Sequence, residues 1–249
     1  MPQYQPPMDD FAPFVSGAAY DRMFAANRAN NPNVAEVVRN RFYDSVLYPT
    51  AGQQQLSFFV NQVGTGVTTA LGATAGTVKT ENDTNLQMPN TLPSGAEYLA
   101  QSLEVLFFPG SVSTANTYTP QTIAFFNATA ALAVMAAAND VNTFYQSGRL
   151  EFKVLNKTYL QEQPLAVFPP KAFFDYSGAV ASNSATTAEV GAQVCKVSGR
   201  PYYLEPAVTL LSACNFSVNL IWPAAVATPS GFNGRVVVAF DGLFKRASQ

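Results

Sequence analysis

The sequence predicts an all-β protein: an antiparallel two-sheet sandwich with one inserted helix and an N-terminal arm. Three observations carry that reading. Apolar and polar residues alternate with period two in segments starting at Gln55, Tyr98, Arg149, Thr158, Tyr202, Cys214 and Arg235. These strands outnumber helices, and their connections are too irregular for βαβ units. Seven strands come near the eight of a jelly roll, so one roll fits the 249 residues better than two, and a double roll stays open.

Residues 1–50 read as an arm, because Pro2, Pro6, Pro7, Pro13 and Pro32 break any long helix. Mixed three- and four-residue spacing of Tyr20, Met23 and Phe24, and then of Val34, Val37, Val38 and Phe42, predicts short amphipathic helices over 18–30 and 34–47. The sandwich is expected over 51–249. In its first strand Leu56, Phe58 and Val60 share a face. In the second, Leu99, Leu103, Val105 and Phe107 oppose Ser102 and Glu104. Arg149–Leu155 alternates most cleanly, and Asn156-Lys157 turns the chain into Thr158–Leu160. Cys214, Phe216, Val218, Leu220 and Trp222 alternate with Asn215, Ser217 and Asn219. The last strand, Arg235–Phe240, is followed by Asp241-Gly242 as a turn or bulge.

The helix is expected near 120–146. Thr119 suits the N-cap and Pro120 the first turn, and 123–138 is rich in Ala, Leu and Met. A stretch apolar nearly all round should be covered on more than one side, either inside its own fold or at a subunit interface. Two long Gly/Thr/Ser/Ala-rich stretches, 63–95 and 176–199, interrupt the strands and are candidate contact surfaces. Their low charge argues against free disorder.

Composition removes most chemistry. The sequence contains no histidine, the usual general base and the commonest metal ligand. Its two cysteines, Cys195 and Cys214, cannot make a disulfide framework or a multi-cysteine metal site, and read as small buried hydrophobes. Charged residues are 12% of the chain, where about 25% is typical, and the net charge is −2. Sequence-specific nucleic-acid binding is not expected. The first residues have neither a basic nor an apolar signal region, and the apolar run 123–138 is shorter than a membrane span, so neither a secretory signal nor a transmembrane helix is expected.

The motifs that remain are weak. Gly64-Thr-Gly66-Val-Thr-Thr69 has two glycines of a dinucleotide loop but Thr69 where the third belongs. Glu81, Asp83 and Asn85 alternate like the opening of a calcium loop, with Leu86 and Leu92 in place of its glycine and closing glutamate. Asp9-Asp10 reads as solvated or as a helix cap. Asn-x-Ser/Thr matches at Asn82, Asn127, Asn156 and Asn215 lack a signal peptide to take them to a glycosylating compartment. Phe216 and Trp222 read as core rather than as a sugar platform. Among Glu104, Glu151, Glu162 and Glu205, no spacing pairs two carboxylates for glycoside hydrolysis. Low charge with many aromatics is the signature of buried interface centres.

Several blocks carry a resemblance: Gln54–Phe59, Asp83–Met88, Leu92-Pro93 before Tyr98–Phe108, Ser147–Lys153 with Tyr159-Leu160, and Phe240–Arg246. Over roughly 50–249 the chain resembles jelly-roll virion proteins of bacteriophages. The resemblance implies the coat (major capsid) protein of a tailless phage, a non-enzymatic structural protein. Such a subunit is assembled in the host cytoplasm, resides in the virion and self-assembles into an icosahedral shell without a cofactor. Partners would be copies of itself, in a trimer or higher ring because shell tiles present different edges to different neighbours, and other virion proteins; an internal membrane stays open. A spike or decoration protein and a carbohydrate-binding or carbohydrate-active sandwich are the rivals. The expected subunit contacts are Phe11, Phe14, Tyr20 and Phe24 in the arm, with Leu71 and Val78 in the first long loop.

Overall fold

A computed structural model describes residues 36–70, 76–110, 112, 114, 116–119, 128–168, 173–175, 182–184, 187–188, 194–196, 201–212 and 214–246. In chain order the strands are β1 (Glu36–Tyr48), β2 (Gln55–Phe58), β3 (Glu97–Phe108), β4 (Arg149–Val154), β5 (Lys157–Pro164), β6 (Phe173–Asp175), β7 (Ser182–Ser184), β8 (Thr187–Ala188), β9 (Val194–Lys196), β10 (Tyr202–Leu211), β11 (Phe216–Ile221) and β12 (Gly234–Arg246). Among the described residues an α-helix, α1 (Ala128–Ser147), precedes β4, and a 3-10 turn, Leu165–Val167, follows β5.

Two four-stranded antiparallel sheets make the sandwich. One runs β1-β12-β3-β10 and the other β2-β11-β4-β5. Two small hairpin pairings, β6 with β9 and β7 with β8, lie between β5 and β10 in the chain. All seven strands read from alternation are present, with starts shifted by at most two residues. The all-β sandwich is therefore the fold.

The inner faces interdigitate through aromatic rings, in two groups. Phe42, Phe59, Tyr98, Phe152, Phe216 and Phe240 meet at centroid separations between 5.0 and 6.1 Å. Tyr48, Phe107, Phe144 and Trp222 form the second, with Phe107 and Phe144 stacked at 4.6 Å. Fully burying such side chains stabilises by about 1.5–3 kcal/mol each. Phe216 and Trp222 are core, as expected, and Cys214 is a half-buried thiol packed against the same core.

The structure corrects three local expectations. The helix expected over 34–47 is not formed in its described part: 36–48 is the strand β1, paired with β12 from Glu36–Arg246 to Tyr48–Gly234, so the arm cannot extend to residue 50. Asp44 occupies an inward position between Phe42 and Val46, which breaks the apolar alternation that would have marked a strand. In β2 the core receives Phe59 rather than Val60, because the strand ends at Phe58 and Phe59 takes a positive φ of 65°. In β3 a bulge at Gln101, opposite Asp241 and Gly242, reverses the pleat. Leu99 consequently sits on the opposite face from Leu103, Val105 and Phe107, while Tyr98 turns into the core.

The expectations for the helix lie largely outside the described residues. The start expected at Thr119 and Pro120 falls partly outside the described residues, and the described helix is Ala128–Ser147. Its later turns bury Ala137, Asp140 and Phe144 but leave Asn139, Asn142 and Gln146 exposed, so one face there meets solvent. Phe144 docks it on the second aromatic group, the Tyr145 hydroxyl donates to the Val105 carbonyl at 2.7 Å, and Asp140 accepts from Ser230. Among the described residues no helix is long and apolar enough to cross a membrane.

Candidate functional site

The densest polar chemistry lies where the loop after β2 folds back on edge strand β1. Asp83, fully buried, is its hub. Oδ1 accepts from the Thr69 N–H at 2.7 Å, the Thr69 hydroxyl at 3.0 Å and the Ser45 hydroxyl at 3.2 Å. Oδ2 accepts from the Thr68 hydroxyl and from the Thr80 N–H at 3.1 Å. Burial alone would raise this carboxyl, but these donors outweigh it and hold the group below the ordinary aspartate value.

In the Glu81, Asp83 and Asn85 alternation, Asp83 and Asn85 use their side chains structurally, and Glu81 takes part through its backbone carbonyl. The Tyr43 hydroxyl donates to the Glu81 carbonyl. Asn85 lies along the free edge of β1 like a short partner strand: its Oδ1 accepts from the Tyr43 N–H at 3.0 Å and its Nδ2 donates to the Arg41 carbonyl at 2.7 Å. That occupies an edge otherwise open to pairing with another chain. Arg235 on β12 completes the lashing through the Thr69 hydroxyl (3.2 Å) and the Asn82 carbonyl (2.8 Å). The calcium reading fails here, because the chain's own N–H and O–H groups already occupy the Asp83 oxygens. Among the described residues no group of three or more His, Cys, Asp or Glu could hold a metal ion.

Beside this hub lies an ion pair that the sequence reading did not find. Lys79 Nζ is 2.6 Å from Asp44 Oδ1, and the side chains are only 3% and 1% exposed. Asp44 also accepts the Ser45 N–H at 3.0 Å and, on Oδ2, the Phe59 N–H at 2.6 Å. Burial pushes its carboxyl above the usual value, against the pull of Lys79 and the two amides. One local signal existed: Lys79 is the sole cation in the otherwise nearly neutral stretch 63–95.

Of the expected contact residues, Phe11, Phe14, Tyr20, Phe24 and Leu71 lie outside the described residues. Val78 is exposed, and so are Val60, Val67 and Met88 on the same loop, each at 40–47%. The Gly64–Thr69 segment is part of this loop, with Thr68 and Thr69 facing Asp83 rather than a nucleotide.

The outer sheet faces hold their charges in pairs. Arg39 grips Asp241 with two hydrogen bonds of 3.1 and 2.8 Å, Arg41 meets Glu104 at 3.2 Å, and Lys153 meets Glu151 at 2.8 Å. Glu104 lies on the outer face of one sheet and Glu151 on the outer face of the other, so these two carboxylates point away from each other across the sandwich. Glu205 is exposed on β10, and the Glu162 side chain is outside the described residues.

No family model, no curated protein and no solved structure matches the chain. The functional reading therefore rests on the chain's own residues and pairings.

Proposed function

We propose that the chain is a structural virion protein, the major capsid subunit of a tailless phage, built as a single jelly roll. One observation carries the reading. Counting the eight strands of the two four-stranded sheets in chain order (β1 to β5, then β10 to β12), the first pairs with the eighth, the second with the seventh, the third with the sixth and the fourth with the fifth. This nesting supports a single roll, in which one long antiparallel hairpin is rolled into two sheets as in viral coats and also in lectins and cupins.

Fold alone does not choose among these uses. The complete lack of histidine speaks against imidazole-ligated metal chemistry. The opposed directions of Glu104 and Glu151 speak against these two acting as the carboxylate pair of a glycosidase. In favour of assembly, the loop bearing Val60, Val67, Val78 and Met88 is pinned from beneath by Asp83 and Lys79. A contact surface ordered in advance loses less entropy when a neighbour docks. Apolar area removed from water at about 25 cal/mol per Å² then favours a trimer or larger ring of copies.

The test is abundance. Particles isolated from cells producing the virion are resolved on a stained gel. The coat reading expects this chain as the dominant band; a minor band would replace it with a spike or decoration protein, and absence from particles would end the virion reading.

A further inference from the structure

We propose that Lys79 and Asp44 condense into an intramolecular amide that staples the long loop to β1. The inference stands independently of the coat reading. The geometry supplies each requirement. The two groups come from segments 35 residues apart and meet at 2.6 Å. Both are shut off from water, unlike Lys153, Arg39 and Arg41 in their pairs, whose side chains are 42–58% exposed. Asp44 occupies an inward position between Phe42 and Val46, beside the buried Phe59 and opposite Val238 on β12.

Transfer of one ammonium proton across the 2.6 Å contact to Asp44 Oδ1 turns the ion pair into a carboxylic acid facing an amine, the form that reacts. Burial raises the Asp44 carboxyl in the same direction. The Nζ lone pair attacks Asp44 Cγ, and the C–N bond forms as the carbonyl electron pair moves onto Oδ2. The Phe59 N–H, 2.6 Å from Oδ2, stabilises that developing negative charge. Return of the electron pair breaks the Cγ–Oδ1 bond, and the hydroxyl leaves with one proton from nitrogen as water. Acid and amine become amide and water, with no oxidant, nucleotide or metal. Fixing both groups in contact supplies the proximity that a free acid and amine lack.

The experiment is mass spectrometry of the denatured full-length chain, intact and after trypsin. The sequence has no Lys or Arg between Arg41 and Lys79, nor between Lys79 and Arg149. An unlinked chain therefore yields 42–79 and 80–149. The proposal expects a chain lighter by one water and a single uncut 42–149 species carrying that deficit. Lys79→Arg and Asp44→Ala should each return the chain to its sequence mass, a readout that does not depend on the variants folding. Wild-type chain at its sequence mass and cleaved after Lys79 overturns the proposal, as does a water deficit in a chain still cleaved there.

Discussion

The Ser45 hydroxyl on β1 donates to Asp83 Oδ1 at 3.2 Å, joining an edge strand to a loop residue 38 positions later in the chain. Around this contact Thr68, Thr69 and Thr80 turn a threonine-rich, nearly charge-free stretch into an ordered surface. Hydrogen bonds to this carboxylate, together with those of Asn85 and Arg235 and the Lys79–Asp44 pair, fasten the loop while its Val67 and Val78 stay exposed.

Asp83→Asn should therefore destabilise the protein by about 1–3 kcal/mol, since an amide cannot accept from every donor now facing the carboxylate. The pH dependence has a definite sign. Asp83 is held below its ordinary value, so its contribution is complete above the unfolded-state value of about 3.9 and is lost as pH falls through the lower folded value. Denaturant melts across that range should show wild type and variant converging in acid. A gap that stays constant down to the lowest pH would contradict the assignment.

How much of this was legible depended on whether the controlling contact was local. Arg149–Val154 and Phe216–Ile221 face core on one side and a polar surface on the other, so period two found them. β1 escaped because its inward row contains Asp44, whose partner Lys79 is far away in sequence, while Val37 and Leu47 lie on the outer face. Leu99 was assigned to the wrong face because a one-residue bulge inverts side-chain direction without changing the apolar pattern. The acidic alternation at 81–85 was visible, but its purpose was not: whether carboxylate oxygens face a cation or the chain's own hydroxyls is decided by loop 65–70 and strand β1.

Two glycines should separate rigid from yielding surroundings. A Cβ at Gly242 would come within 2.0 Å of the Leu99 carbonyl oxygen, which is backbone in the central pairing of the sheet. At Gly148 it would meet the Leu165 side chain at 2.4 Å and the Trp222 ring at 2.6 Å. Gly148→Ala should cost about 1–3 kcal/mol as overpacking, and Gly242→Ala more, because backbone cannot rotate aside. Thermal unfolding of the two variants side by side checks the order.

Phe144 carries the docking of α1. Phe144→Ala should lose about 3–5 kcal/mol. Trp222, the sole tryptophan, lies 5.4 Å from the Phe144 ring and is almost fully buried, so its native emission should move to longer wavelength in the variant. An unchanged emission spectrum would show that other contacts hold the helix.

Deleting residues 1–30 should leave the sandwich intact, because β1 begins at Glu36 and the core residues follow it. The truncated chain should keep its unfolding transition yet fail to form shells, having lost Phe11, Phe14, Tyr20 and Phe24. Normal assembly of the truncated protein would remove the arm from the contact set.

The central claim is that this chain works by touching copies of itself, and electron microscopy of material purified from cells making it alone tests that most directly. The coat reading predicts closed shells of uniform size, or rings that build them. Protein that stays monomeric at high concentration, with no particle containing it in abundance, would contradict it.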